Sequence, residues 1–505
     1  MALAQVLTRA QVGIEAPQIQ VEVHITGGLP SFTLVGLPEA SVREARERVR
    51  AALQNEGFDF PARRITVNLA PADLPKQGGR FDLAIALGIL VATGQLPEEA
   101  VNNYEFYGEL SLSGAVKSCT GLLPAGLAAQ KKQRVMVVPA RDSDELQLIP
   151  GIRAMLACQL RPLVAALMGQ QQLPGLTPLN PATFPPLAHG CLTDIIGQQQ
   201  GKQALMIAAS GGHNLLFLGP PGTGKTMLAS RFCDLLPPLT IEAALSVAAI
   251  HSVAGRPRQP AQLLQRPFRA PHHSSSAASL VGGGGIPRPG EISLSHHGVL
   301  FLDELPEFPR TVLDSLREPL ESGEVVISRA AAKLTFPARF QLIAAMNPSP
   351  CGETGAQSRS TPEQIRRYLA RLSGPFLDRF DLTVEVSRLP PGQLTDAAQR
   401  GALTSTEARQ QVLLARQRAL TRQGCLNAEL SSSKLNQSVG ISSEIADFTE
   451  RGVTRLKLSI RAFHRLLRVS RSIADLDDCD RVERRHVAQA FGYRAMDKLL
   501  TQLNG

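Results

Sequence analysis

The sequence predicts a multidomain α/β protein with a helical C-terminal region, and three stretches carry that prediction. The first is Gly219, Pro220, Pro221, Gly222, Thr223, Gly224, Lys225 and Thr226, between the apolar run 214–218 and the helix-like 227–232. Strand, glycine loop and helix in that order make a phosphate-binding P-loop. The second is the apolar run 298–302 ending in Asp303 and Glu304, which delivers two carboxylates where open α/β sheets hold ligands. The third is 459–474, basic and amphipathic at helical spacing, within a C-terminal stretch that reads as helix.

The chain has 505 residues, enough for about three domains. Its 43% hydrophobic and 19% charged content is that of a globular protein. A net charge of +9 favours a polyanionic partner, nucleic acid first. No tryptophan and 4% aromatic residues argue against base stacking as the main mode of contact. Seven scattered cysteines, odd in number and without a C-x-x-C pair, fit a reduced cytosolic chain. The first ten residues lack the basic and apolar regions of a signal peptide. No apolar run is long enough to span a bilayer. A cytoplasmic location and no membrane partner are expected.

Residues 1–168 form the first expected domain. Val21–Ile25 and Arg64–Leu69 alternate as strands. Glu39–Glu56 presents Val42, Ala45, Val49, Ala52 and Leu53 on one helical face. Phe81–Thr93 reads as a buried helix and Val135–Pro139 as a buried strand. This mixture predicts an α/β or α+β unit. Pro75–Arg80, Gly108–Gly114 and Gly121–Leu123 resemble the Lon-protease-like fold, shared with a small-subunit ribosomal protein. The resemblance puts the serine nucleophile's position on Arg80 and the lysine base's on Leu123. Neither side chain can do that chemistry, so a non-catalytic domain is expected. Lys76 and Arg80 are expected to make either a basic binding surface or a solvated turn. Residues 169–190, with five prolines from Pro174 to Pro186, read as a semi-rigid linker.

Residues 191–390 form the expected nucleotide-binding core. The P-loop glycines let backbone N–H groups converge on phosphates, with Lys225 reaching the outer ones and the Thr226 hydroxyl a Mg²⁺ ion. Its chance occurrence in a glycine-rich loop is the bland alternative. Asp303 is the candidate Mg²⁺ ligand and Glu304 the candidate base for water. Phe340–Met346 is a further apolar strand, ending in Asn347 before a proline. From Asp194–Gln198 onward the chain resembles the AAA+ ATPases. The resemblance implies an adenine pocket lined by Asp194–Gln198 and a sensor-1 role for Asn347, whose alternative is a turn residue. It also makes Arg379, in Leu377–Asp381, an arginine finger offered to a neighbouring subunit's ATP. The structural alternative is a surface ion pair with Asp378 or Asp381.

Two insertions resemble the magnesium-chelatase and MCM branch of that family. The first holds Arg266–Ser276, the glycine run 282–285 and Pro287–His297. Its glycines are expected to make a mobile loop. Its pairs His272-His273 and His296-His297 raise a zinc reading, but no Cys or carboxylate completes a ligand spacing, so packing or phosphate contact is favoured. The second resembles a pre-sensor-1 hairpin, with arms at Val325–Ile327 and Leu334–Phe336. Arg329 at its tip and Lys333 would grip DNA phosphates; solvated cations are the alternative. Only Cys351 stands where many relatives carry several cysteines, so no zinc is expected there.

Residues 391–505 read as helices at Thr404–Arg422, Ser443–Glu450, Ser459–Ala474 and Arg484–Ala495, matching a helical lid. The resemblance gives Arg461 the sensor-2 role, reaching the γ-phosphate. Arg465, Arg468 and Arg471 are expected on a solvated or interface face. The order of motifs resembles the ComM/YifB family of magnesium-chelatase-like AAA+ ATPases over almost the whole chain. That resemblance implies an ATP- and Mg²⁺-dependent homo-hexamer acting on single-stranded and branched DNA. It would promote branch migration in natural transformation, with recombination proteins as further partners. The alternative is a chelatase-type remodelling subunit that ignores DNA. An ATP-dependent protease is disfavoured by Arg80 and Leu123.

Overall fold

The computed structural model describes residues 2–141, 143–177, 190–284, 287–329, 332–353, 358–390, 403–456 and 458–504. The chain is a mixed α/β protein with a parallel sheet and a helical C-terminal region. It divides into two compact units. Unit 1 holds Met1–Pro186, Thr240–Leu264 and Ser328–Phe336; unit 2 holds Leu187–Leu239, Gln265–Ile327 and Pro337–Gly505. Most of the expected linker, 178–189, and the start of the expected lid, 391–402, lie outside the described residues.

Unit 1 is built on a four-stranded sheet of β1 (Ala2–Arg9), β2 (Gln18–Thr26), β3 (Ser31–Val35) and β4 (Arg64–Ala70), in the order β1-β2-β4-β3. Ile19, Val21, Val23 and Ile25 alternate inward along β2, the pattern of a sheet covered on one face. The helix Asp82–Ala92 covers that face against β1 and β2 and is apolar almost all round. Its Gly88 permits the close approach, since a Cβ there would stand 2.6 Å from Val23 Cγ2. A parallel set follows: β5 (Tyr104–Phe106), β6 (Val135–Pro139) and β7 (Ala154–Ala157). The segment Thr240–Leu264, distant in sequence, joins this unit. Its helix Ile241–Val253, capped by Thr240, packs on the helix Leu122–Lys131. There Ser252 Oγ donates to Glu145 Oε1 at 3.0 Å.

The basic surface expected at Lys76 and Arg80 does not exist. Lys76 is fully buried and donates to the Pro71 carbonyl, and burial lowers its pKa. Arg80 is buried as well, donating to Gln11 Oε1 at 2.9 Å and to the Thr120 carbonyl. Leu123 is buried in the helix Leu122–Lys131. A buried cation needs fixed acceptors, and these residues spend their polarity on the Pro71 and Thr120 carbonyls and the Gln11 side chain.

Unit 2 centres on a five-stranded parallel sheet of β8 (Leu215–Leu218), β9 (Phe268–Arg269), β10 (Val299–Leu302), β11 (Gln341–Met346) and β12 (Leu382–Glu385). Its order is β9-β10-β11-β8-β12. Continuous apolar runs make β8, β10 and β11, as burial on both faces of a parallel sheet demands. Because β11 lies between β8 and β10, the residues following these strands emerge side by side: Gly219, Asn347 and Asp303. The helices Ser405–Gln423, Ser443–Arg455, Ile460–Leu476, Arg484–Gly492 and Ala495–Asn504 complete the unit.

Two expectations about the lid and the inserts change. Arg465 and Arg471 are buried, not solvated. Asp475 holds Arg471 at 2.9 Å and Arg422 at 2.7 Å, and accepts from Asn427 Nδ2 at 2.8 Å. Arg468 is half-buried and donates to the Leu430 carbonyl at 2.5 Å. In the glycine run, Gly282 and Gly283 pair with Pro289 and Arg288. A Cβ at Gly282 would stand 2.3 Å from the Arg288 carbonyl oxygen, so close packing demands glycine there. Gly285 lies outside the described residues. The expected hairpin is present as Glu324–Arg329 paired with Ala332–Pro337. Lys333 is exposed on its second arm, whereas the Arg329 side chain and residues 330–331 lie outside the described part.

Candidate active site

The P-loop runs from β8 into the helix Lys225–Ser230. Gly222 and Gly224 adopt left-handed φ of 78° and 88°, where a side chain is strained. Nothing lies within 4 Å of a Cβ at either, so the loop encloses an open concavity. Gly219 is required for a different reason: a Cβ there would meet the Val386 carbonyl oxygen at 2.2 Å. Gln198 braces the loop from outside, its Nε2 donating to Thr223 O at 3.2 Å and Ser387 O at 2.8 Å.

Lys225 Nζ donates to the carbonyls of Gly219 and Pro220, each at 2.7 Å, and to Asn347 Oδ1 at 3.2 Å. Burial lowers its pKa, with the Asp303 carboxylate opposing. Thr226 Oγ1 donates to Asp303 Oδ2 at 2.7 Å, and Asp303 Oδ1 accepts the Glu304 N–H at 2.9 Å. A hydroxyl beside a carboxylate is a hard oxygen pair of the kind Mg²⁺ takes. These two residues fit the ion, and Lys225 with the loop amides fits phosphate oxygens.

Glu304 has a left-handed backbone, φ 52°, a conformation costing roughly 1–2 kcal/mol that clusters at functional sites. Its Oε2 lies 3.1 Å from His273 Nδ1. That pairing was missed from the sequence, where His273 drew notice only as half of a histidine pair. Beyond Glu304 opens a cleft of about 690 Å³ lined by Glu307, Asn347, Cys351, Tyr368 and Arg371. Arg371 pairs with Glu307 at 3.1 Å.

Arg379 and Arg461 stand elsewhere in unit 2. They share a cavity of about 650 Å³ with Asp378, His464, Arg465 and Arg468, and no P-loop residue, Asp303 or Asn347 lines it. Arg379 pairs with Glu321, and its buried Nε has no hydrogen-bond partner among the described residues. Arg461 is exposed on the first turn of the helix Ile460–Leu476. Arg465 grips the turn that carries Arg379, donating to Phe380 O at 2.9 Å and Asp378 Oδ1 at 2.7 Å.

His296 and His297 are packing residues. His296 Nδ1 accepts the Arg339 N–H at 3.1 Å, and burial pushes its pKa down to about 3. Among the described residues, no group of three or more His, Cys, Asp or Glu is arranged to hold a metal ion.

Competence protein ComM of Haemophilus influenzae is 53% identical to this chain over 508 residues, spanning 100% of both. Protein YifB of Escherichia coli is 52% identical over 504 residues, spanning 100% of this chain and 99% of its own. The chain belongs to the ComM/YifB family. This is a magnesium-chelatase-like family. Residues 21–142 match the family described as subunit ChlI of Mg-chelatase, and 191–394 match magnesium chelatase, subunit ChlI. Residues 402–494 match the C-terminal part of that subunit. A magnesium-chelatase 67 kDa subunit of Chlorobaculum parvum is 28% identical over 163 residues, 31% of this chain and 23% of its own. In the ComM/YifB chain, Lys225, Asp303, Asn347 and Arg379 all fall in the segment 191–394, and Arg461 in 402–494. Among the described residues no helix is long and apolar enough to cross a membrane.

Proposed function

We propose that this chain is an ATP-driven AAA+ motor that works as a ring, a hexamer, on single-stranded and branched DNA. The observation that carries the reading is the separation of cations within unit 2. Lys225 stands with Thr226, Asp303 and Asn347, whereas Arg379 and Arg461 face a separate cavity. A hydrolysis site needs both sets, because charge developing on the transferred phosphoryl group is stabilised by a guanidinium. A second copy supplies what the first lacks, and head-to-tail repetition of such a contact makes a ring where the rotation between copies closes.

The P-loop amides and Lys225 bind the triphosphate. Thr226 and Asp303 hold Mg²⁺, which neutralises phosphate charge when bound. Asn347 positions the outer phosphate or the attacking water, and Glu304 accepts that water's proton. His273 holds Glu304 until water arrives. Arg379 and Arg461 reach the nucleotide of the neighbouring copy. Arg329 and Lys333 on the hairpin contact DNA phosphates in the ring's centre. Unit 1 is a non-catalytic relative of the Lon-protease-like fold. The likeness to a competence protein supports a role in transformation, integrating incoming single strands by branch migration in the cytoplasm.

The test is whether the purified chain moves a three- or four-stranded DNA junction with ATP and Mg²⁺. Movement that disappears in Lys225→Ala is expected. ATP hydrolysis insensitive to DNA, with no junction movement, would favour a chelatase-type remodelling role instead.

A further inference from the structure

Unit 1 lost its expected basic surface at Lys76 and Arg80, but it carries another. Arg43, Arg46 and Arg50 follow one another at i, i+3 and i+7 along the helical stretches Ala40–Arg43 and Ala45–Asn55, and so share one side. Arg63 and Arg64 stand at the start of β4, beside the open edge strand β3. Arg64 is opposite Ser31, whose N–H donates to Arg63 O at 3.4 Å. Two phenylalanines join the groups. Arg46 Nη1 donates to Phe32 O at 3.5 Å, and the Arg50 guanidinium lies 5.7 Å from the centre of the Phe60 ring. The Phe32 and Phe60 rings are 6.1 Å apart and half-buried.

All of these arginines are exposed, and among the described residues none has an ion-pair partner. Arg48, on the same helix, is the contrast: it is half-buried and tied to the buried Asp82 at 2.7 Å. Charged residues do protect sheet edges from pairing. That accounts for Arg63 and Arg64 beside β3, not for the helical arginines. A cluster of unneutralised guanidinium groups is stabilised by a chain of phosphates, and half-exposed phenyl rings offer apolar surface to unpaired bases.

We propose that this face binds the backbone of single-stranded DNA, as a second contact apart from the hairpin. The proposal rests on the reading of the chain as a DNA motor. It is tested on the full chain with a fluorescent oligothymidylate over a range of salt. The variant replaces Arg43, Arg46, Arg50, Arg63 and Arg64 by Gln; a second variant replaces all of them by Lys. The Gln variant is expected to bind more weakly and to flatten the plot of log affinity against log salt by about 2–3, near 0.7 for each phosphate left without its cation. The Lys variant should keep most of the slope, and ATP hydrolysis without DNA should stay unchanged in both. An unchanged slope and affinity in the Gln variant overturns this face alone. Equal loss in the Lys variant overturns it in favour of a structural role. Weakened self-association at an unchanged slope overturns it in favour of a protein partner. An unsubstituted chain that binds no oligothymidylate overturns the DNA reading and this face together.

Discussion

Lys225 and Arg379 are cations of the same unit, held in opposite ways. Lys225 Nζ has acceptors on every side, two loop carbonyls and Asn347. Arg379 leans on one exposed carboxylate, Glu321, and leaves a buried Nε without a partner among the described residues. One group sits in a finished cradle and the other at an unfinished edge. An unsatisfied buried donor costs about 1–3 kcal/mol; in the proposed ring, the nucleotide of a second copy would give this guanidinium its partner.

The contrast breaks first at Arg379, the proposed finger. Arg379→Ala should lower the ATP turnover of the assembled protein by about 10³-fold. Mixing it with Glu304→Gln subunits should restore part of the turnover, since some interfaces then pair an intact finger with an intact base. Rings verified as mixed but inactive would mean that Arg379 serves its own subunit. The next effect lies one layer back. Arg465 lines the same cavity and holds the turn bearing Arg379. Arg465→Ala should cost on the order of 10² in kcat through misplacement of the finger, with little change in KM for ATP. Arg465→Lys should recover part of it. Steady-state kinetics in which KM rises and kcat stays level would remove Arg465 from a positioning role.

The smallest effect is on stability and concerns His296. Its folded pKa is lowered to about 3, so the unfolded chain takes up a proton at higher pH than the folded one. Stability from this group is complete above about pH 6.5. It falls as pH drops towards 3, by up to about 1.4 kcal/mol per pH unit. His296→Gln keeps an acceptor for the Arg339 N–H and removes the titration. Thermal melts of the variant should lose part of the acid-side decline in Tm; an identical decline would place the cause elsewhere.

The sequence made the nucleotide cradle readable because Gly219, Asp303 and Asn347 each end an apolar run, and those runs had to be buried strands. Their common meeting point follows from the strand order, which no local pattern contains. The charged residues were harder. Arg471 flanks the apolar stripe of its helix and looks solvated by periodicity. It is buried because Asp475, one turn on, and Arg422, fifty residues back in sequence, close around it. Lys76 and Arg80 misled in the same way, since composition cannot reveal their acceptors, the Pro71 and Thr120 carbonyls and the Gln11 amide oxygen. β1 went unread because its opening residues were weighed only as a possible leader, and β9 because two residues carry no periodicity. The membership of Thr240–Leu264 in unit 1 is a property of packing alone.

Immediately before β8, two polar residues tie distant pieces together. Asn214 Nδ2 donates to Arg379 O at 2.9 Å, while its Oδ1 accepts the Leu342 N–H of β11 at 2.8 Å. His213 touches Asp381 Oδ2 at 3.4 Å with one ring nitrogen and Ser472 Oγ at 2.7 Å with the other. The foot of the strand that leads to the P-loop is therefore the fulcrum of a lever. One arm is the turn bearing Arg379, and the other is the helix bearing Arg461. A shift of β8 along its axis would strain the hydrogen bonds to both of these pieces.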